Sequence, residues 1–382
     1  MTVFILDITS FLPNPPVGND DMERILGMVG HTPSRTRRVI LRTNGIHTRH
    51  YAIDPITLQF THNNTDLTVA AIKGLRFPEG RSLQDVDCLC CGTATPDQLM
   101  PGHGVMVHGA AGIPPCEVIS TSGICLSGIA ALKYAYMNLR TGESRLAIAT
   151  GSDHASSMIR GKFYDVAVLE ANGDDPGKAP LPFGADFLRW MLSDGAGAIL
   201  MGKEPNRRGR SLKIEWIDIV SRANELAPCM YAGAEKGPDG RLTGWREFDS
   251  IHEAVNRNIF AIKQDVRLLN EATGPALLER TLPGIVQKYG LKPDDITWFL
   301  PHYSSAYFRQ ETFDRFKKAG LEIPFERWFS NLSEKGNTGA ASIFIMLAAL
   351  FHSKKLKAGD TLLCFVPESG RFSAGFALMT VV

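Results

Sequence analysis

A chain of 382 residues, 44% hydrophobic and 21% charged, can bury one large core or two ordinary ones and is globular, not disordered. Its 41 Lys and Arg against 40 Asp and Glu leave a formal charge of +1, which excludes a broad electrostatic footprint for nucleic acid. Seven cysteines are an odd number, and disulfide staples are not expected.

The segment from Met1 to Asp7 lacks a basic leader region and is broken by an acid, so it predicts a first strand and a cytoplasmic protein. Asp85 to Thr93 is next, an apolar strand preceded by an acid, with Cys88, Cys90 and Cys91 crowded on it. Neighbouring strand residues point to opposite faces, and no second Cys or His pair lies at a matching distance. These three read as small buried hydrophobes, and no metal site is expected. His103 and His108, in a glycine-rich stretch, are expected at a surface or an interface.

Cys125 lies in Thr121-Ser122-Gly123-Ile124-Cys125-Leu126-Ser127-Gly128, where an apolar strand gives way to an apolar helix. Free amides and the positive end of a helix dipole favour a thiolate there, and the flanking glycines let a thioester approach the sulfur. The competing account is a structural cysteine packed on a buried helix. His154, in Gly151-Ser152-Asp153-His154, follows another strand and competes with a later histidine for a catalytic role.

A polar hinge, Glu204-Pro205-Asn206-Arg207-Arg208-Gly209-Arg210, predicts a division into residues 1–205 and 206–382. From Asn224 to Val266 periodicity is lost around Pro228, Gly233, Gly237-Pro238 and Gly240. A long loop plus a helix near Ile251 to Gln264 is expected, serving as a lid or substrate wall.

The second half repeats the first. Asp294 to His302 is again a strand preceded by acids, and a Gly-bounded helix begins near Asn337 at a matching interval. Both halves close on segments rich in Gly and Ala, Ser193 to Met201 and Gly370 to Met379. This pattern predicts mixed α/β halves, with the helices Ile129 to Leu139 and Ala340 to Leu350 sandwiched between sheets. The longest uninterrupted apolar run, Ile343 to Phe351, is far below the roughly 20 residues of a membrane helix, so no span is expected.

Of ten histidines, His302 stands out because the chain leaves a sheet there and exposes the next side chain to a crevice. Asn337, between Gly336 and Thr338, reads as an N-cap whose amide can still donate to a substrate oxygen beside His302. Backbone amides at Cys125 and near Gly370 would serve a second oxyanion, that of the acylated cysteine.

With these residues in hand, the chain resembles the thiolase superfamily, and within it the ketoacyl-acyl-carrier-protein synthase III group. The likeness runs through Arg42-Thr43-Asn44-Gly45-Ile46, Thr93-Ala94-Thr95-Pro96, Cys125 and its glycines, and Gly151-Ser152-Asp153. It continues through Ser193 to Ala198, His302, Gly336 to Ser342 and Gly370 to Gly375. The resemblance implies a five-layered αβαβα fold of two pseudo-duplicated halves, a homodimer, and a decarboxylative Claisen condensation by way of an acyl-Cys125. Acyl-CoA or an acyl carrier protein would bring CoA or phosphopantetheine thioesters as substrates, with no tightly bound cofactor. It makes Met100, reaching into the partner's acyl pocket, together with Arg42, Glu368 and Phe372, the candidate substrate contacts.

Two features depart from the housekeeping synthases of that group. Arg35, Arg37 and Arg38 stand where a tryptophan flanks the pantetheine entrance, which favours a carrier protein as donor. Glu368 stands in a terminal loop that usually carries an aromatic; it is expected either to ion-pair with Arg371 or another base, or to act as a second base. A specialised-metabolite ketosynthase, including one that cyclises its product to dialkylresorcinol or cyclohexanedione rings, is an open reading. So are an acyltransferase to a hydroxyl or amine, a cysteine hydrolase built on Gly123-x-Cys125-x-Ser127, and a non-enzymatic partner subunit.

Overall fold

The computed structural model describes residues 1–164 and 183–382. Nine strands form one sheet: β1 (Phe4–Phe11), β2 (Cys88–Thr93), β3 (Glu117–Ser122), β4 (Leu146–Asp153), β5 (Gly195–Gly202), β6 (Leu212–Ser221), β7 (Trp298–Pro301), β8 (Thr361–Glu368) and β9 (Ser373–Val381). Their spatial order is β7-β8-β9-β6-β1-β5-β4-β2-β3. The helices used below are α1 (Arg37–Asn44), α2 (Asn64–Lys73), α3 (His103–Ala111), α4 (Leu126–Thr141), α5 (Val266–Thr273), α6 (Arg309–Lys318) and α7 (Ser342–Phe351).

The expected duplication is visible in the pairing. In the first half β1 runs antiparallel to β5, β5 antiparallel to β4, and β4 parallel to β2. In the second, β6 runs antiparallel to β9, β9 antiparallel to β8, and β8 parallel to β7. The halves join where β1 meets β6 through Phe4 opposite Lys213 and Ile5 opposite Leu212. Strands β2, β4 and β5 are buried along their whole length, which is why they read as continuous apolar runs and not as alternating ones.

Helices α4 and α7 form the inner layer, packed between strands of the two halves as the expected five-layered αβαβα arrangement requires. Both belong to one hydrophobic cluster with strands from the two halves, and nine of the ten residues of α7 are buried. Gly128 of α4 meets the turn that leads into α7: a Cβ there would lie 2.3 Å from the Ala340 carbonyl oxygen, so any side chain would force the two apart. No helix among the described residues is long and apolar enough to cross a membrane.

Cys88 and Cys90 face the inner cluster, with sulfurs 3.6 Å apart, and Cys91 faces the opposite one, as the strand period dictates. His103 is not at a surface: it is buried, with Nε2 3.2 Å from both the Thr68 hydroxyl on α2 and the Ser152 hydroxyl on β4. Glycines around it let α3 pack tightly on the sheet, a contact that local sequence does not reveal.

The helix expected near Ile251 to Gln264 is shorter, Ile251–Asn256. Asn258 takes a left-handed conformation (φ 52°) that ends it, and Lys263–Gln264 instead pair antiparallel with Met230–Tyr231. The irregular stretch is a wall: Met230, Ile262 and Gln264 line one apolar cavity.

Candidate active site

Cys125, His302 and Asn337 line one cavity of about 1080 Å³, its open mouth included. Each is delivered by the end of a regular element. Cys125 is the N-cap of α4, with α-helical backbone angles (φ −61°, ψ −27°) and no capping side-chain hydrogen bond. His302 follows β7, fixed by its backbone amide donating to the Phe365 carbonyl at 2.8 Å.

Asn337 departs from the expected N-cap geometry. Its Oδ1 accepts from the Gly339 amide at 3.0 Å, closing a turn ahead of a short 3₁₀ segment at Gly339–Ala341. Its backbone is pinned on both sides, the amide donating to the Met191 carbonyl at 3.0 Å and the carbonyl accepting from Ser193 at 2.9 Å. With Oδ1 engaged, Nδ2 is the atom left to serve the cavity, so the amide can act there as a donor.

Electrostatics separate the three. Burial lowers the His302 pKa to about 4, so the imidazole is neutral at physiological pH and has one nitrogen to donate and one to accept. The Cys125 thiol moves the other way. Burial first, then the nearby carboxylates of Glu368 and Asp153, raise its pKa well above the usual thiol value. A resting thiolate at a free helix N-terminus, as the sequence suggested, is therefore not what the structure holds.

Asp153 is a cavity residue to which sequence reasoning gave no role of its own. Oδ1 accepts from the Ala94 amide at 2.7 Å and the Thr93 hydroxyl at 3.1 Å, while Oδ2 accepts from the Ala340 amide at 2.7 Å. It thus ties the loop after β2 to the Asn337 turn of the other half. Gly339 is required beside it, since a Cβ there would lie 2.0 Å from Oδ2. Its signals were its place in Gly151-Ser152-Asp153, one of the segments of the likeness, and an acid closing a buried strand.

Burial, opposed by these hydrogen bonds, raises the Asp153 pKa to about 6. The folded protein therefore binds this proton more tightly than the unfolded chain. Its stabilising effect is full below about pH 4 and is lost as pH rises to 6, a change of about 3 kcal/mol. The stability gap between wild type and Asp153→Asn should shrink by that order from pH 4 to 7 in urea denaturation. A gap independent of pH would show that the carboxylate titrates normally.

The cavity wall is apolar. Met191, Leu192 and Ile262 come from one hydrophobic cluster, and Leu269, Leu277 and Leu278 from another, so the cavity follows the seam between two cores. A π-helical turn at Gly274–Glu279 carries Leu277 and Leu278 into it. Such a wall accepts a hydrocarbon chain and offers it few polar partners.

The expected substrate contacts fare differently. Phe372 is fully buried at the turn between β8 and β9 and does not line the cavity; its side chain completes the core cluster there, which corrects its assignment as a substrate contact. Arg42, on α1, is exposed and lines a separate surface groove with Arg35, Arg37 and Arg38. Met100 is 79% exposed on the loop after β2, outside this chain's cavity.

Gly370 packs against Ile124, and its carbonyl accepts from the amides of Cys229 and Met230. Glu368 also lies off the cavity, and among the described residues it forms no ion pair. The Arg371 Nε donates instead to the Leu226 carbonyl at 3.0 Å. His154 is buried outside the cavity, edge-on to Phe60 with Nε2 4.0 Å from Asp194.

Residues 88–206 match the profile of the β-ketoacyl synthase N-terminal domain, and residues 286–380 that of the 3-oxoacyl-[acyl-carrier-protein] synthase III C-terminal domain. A β-ketoacyl-[acyl-carrier-protein] synthase III of Koribacter versatilis is 25% identical over 376 residues, covering 98% of this chain and 96% of that protein. Among solved structures, AbyA1, a tetronic acid condensing enzyme, superposes with a TM-score of 0.74 at 23% identity, covering 99% of each chain. The 3-oxoacyl-(acyl carrier protein) synthase III of Pseudomonas aeruginosa superposes with a TM-score of 0.70 at 18% identity, covering 100% of this chain and 98% of that one. A duplicated α/β fold, a cysteine at the inner helix and both domain profiles in order lead to one assignment: the chain has the thiolase fold and is a ketoacyl-acyl-carrier-protein synthase III-like ketosynthase of the Claisen type.

Proposed function

We propose that Cys125 takes an acyl group from a thioester and that His302 and Asn337 stabilise the enolate formed by decarboxylating a second thioester. The observation that carries this reading is the convergence of a thiol, a neutral imidazole and an oriented carboxamide on one apolar cavity. In acylation the thiol proton passes to His302, sulfur bonds to the acyl carbon, the donor's carbon–sulfur bond breaks, and the departing thiolate recovers the proton. In condensation CO₂ leaves the extender, and its α-carbon displaces the sulfur from the acyl carbon. Two neutral donors suit the negative charge developing on the enolate oxygen.

The division of labour follows the halves, with residues 1–205 supplying the nucleophile and 206–382 supplying His302 and Asn337. The exposed Arg35, Arg38 and Arg42, with no ion-pair partner among the described residues, support delivery by an acidic carrier protein in the cytoplasm. A homodimer is supported by the open edge of β3 and by Leu99, Met100, Val105 and Met106, which expose apolar surface nearby. Likeness to a tetronic acid condensing enzyme along the full chain supports a product of specialised metabolism.

Incubation with mixed acyl thioesters and a malonyl thioester as extender tests the reading. Mass added at Cys125 followed by CO₂ release and a new carbon–carbon bond is expected; an ester or amide product would replace it with acyl transfer. The wall makes a further prediction. Leu269→Trp fills the cavity, so kcat/KM for long acyl donors should fall about tenfold or more while short donors are spared. Equal loss for all chain lengths would place the acyl chain elsewhere.

A further inference from the structure

Glu368 reaches across from the second half to the nucleophile turn. Its Oε2 accepts from the Ile124 amide at 2.9 Å and the Leu126 amide at 3.0 Å, the two peptide groups that bracket Cys125. Glycines flank the carboxylate on both sides, each close to it. A Cβ on Gly123 would lie 3.3 Å from Oε2, and one on Gly370 would lie 3.4 Å from Oε1. Strand alternation sends Phe365, Pro367 and Ser369 into the cavity and leaves Glu368 behind it. It is placed to act on the turn, not on a substrate.

We infer that Glu368 is a positioning residue that clasps the Cys125 turn and, by placing a carboxylate on the amides at the start of α4, keeps the nucleophile a protonated thiol at rest. Amides that could otherwise stabilise a thiolate are already engaged by an anion. The other ionisable groups at the site do not oppose it. Asp153 on β4 is a further negative charge when ionised, Glu311 on α6 is ion-paired with Arg315 at 2.8 Å, and His302 is held neutral by burial. None supplies a resting cation to hold S⁻. The sulfur is unmasked only when a bound thioester is ready, with His302 taking the proton, which limits stray alkylation and oxidation of the thiol.

This rests on Cys125 as the acylated residue, but its test does not need turnover. Iodoacetamide alkylation of Cys125, followed by peptide mass spectrometry against pH, reads the thiol directly in the intact protein. In the wild type an apparent pKa above the roughly 8.5 of a free cysteine is expected. Glu368→Gln keeps an oxygen to accept both amides and removes the charge. Its apparent pKa should fall by about one unit, so the alkylation rate at pH 7 rises about tenfold. Glu368→Ala should shift the profile in the same direction and also slow condensation, with Gln restoring part of that rate. A wild-type pKa below that of free cysteine, or an unshifted profile in both variants, would overturn the inference. Failure to acylate Cys125 with a shifted profile would count against the proposed reaction alone.

Discussion

Cys125→Ala gains no mass from any acyl thioester, and its condensation rate falls by on the order of 10⁴-fold or more. The expectation rests on the sulfur alone, because little else depends on this side chain. Cys125 makes no capping hydrogen bond to α4, and its backbone angles are ones that alanine adopts without strain. The variant should therefore unfold at nearly the wild-type temperature. The turn itself is held by Glu368 on the amides of residues 124 and 126, contacts the substitution leaves in place. Intact-protein mass spectrometry after exposure to an acyl donor checks the first part, and thermal unfolding checks the second. Acylation persisting at another site would remove Cys125 from the chemistry.

Much of this was legible in the sequence because the three cavity residues sit where local patterns change. Cys125 is at a strand-to-helix junction, His302 ends an apolar strand, and Asn337 opens a buried helix, each marked by flanking glycine or proline. The duplicated phasing was also readable, since strands buried on both faces stay apolar throughout. Roles created by distant contacts left no such trace. Asp153 bonds to Ala340, 187 positions away, and Glu368 to Ile124, 244 positions away. Each carboxylate is ordinary in its own segment and acquires a function only when the halves close. Phe372 was misjudged for a related reason: its loop borders the site, while a tight turn directs its ring into the core.

Asn337→Ala should acylate at close to the wild-type rate and condense about 10² to 10³-fold more slowly, the usual cost of removing one oxyanion donor. The acyl-enzyme then accumulates. Asn337→Asp is the stricter variant, since a carboxylate oxygen can still accept from the Gly339 amide and keep the turn, but presents no donor where Nδ2 was. It should be as defective in condensation as the alanine variant. His302→Ala should differ from both by slowing the two half-reactions, because the imidazole takes the thiol proton in one and donates to the enolate in the other. With its pKa near 4, the wild-type His302 is neutral from about pH 5 upward, so its contribution should be flat there and fall only as the ring protonates in acid. Rapid-quench measurement of acyl-enzyme formation, alongside CO₂ release, separates the steps. Undiminished condensation in Asn337→Asp would exclude the carboxamide from the enolate site, leaving the neutral imidazole as the one side-chain donor assigned there.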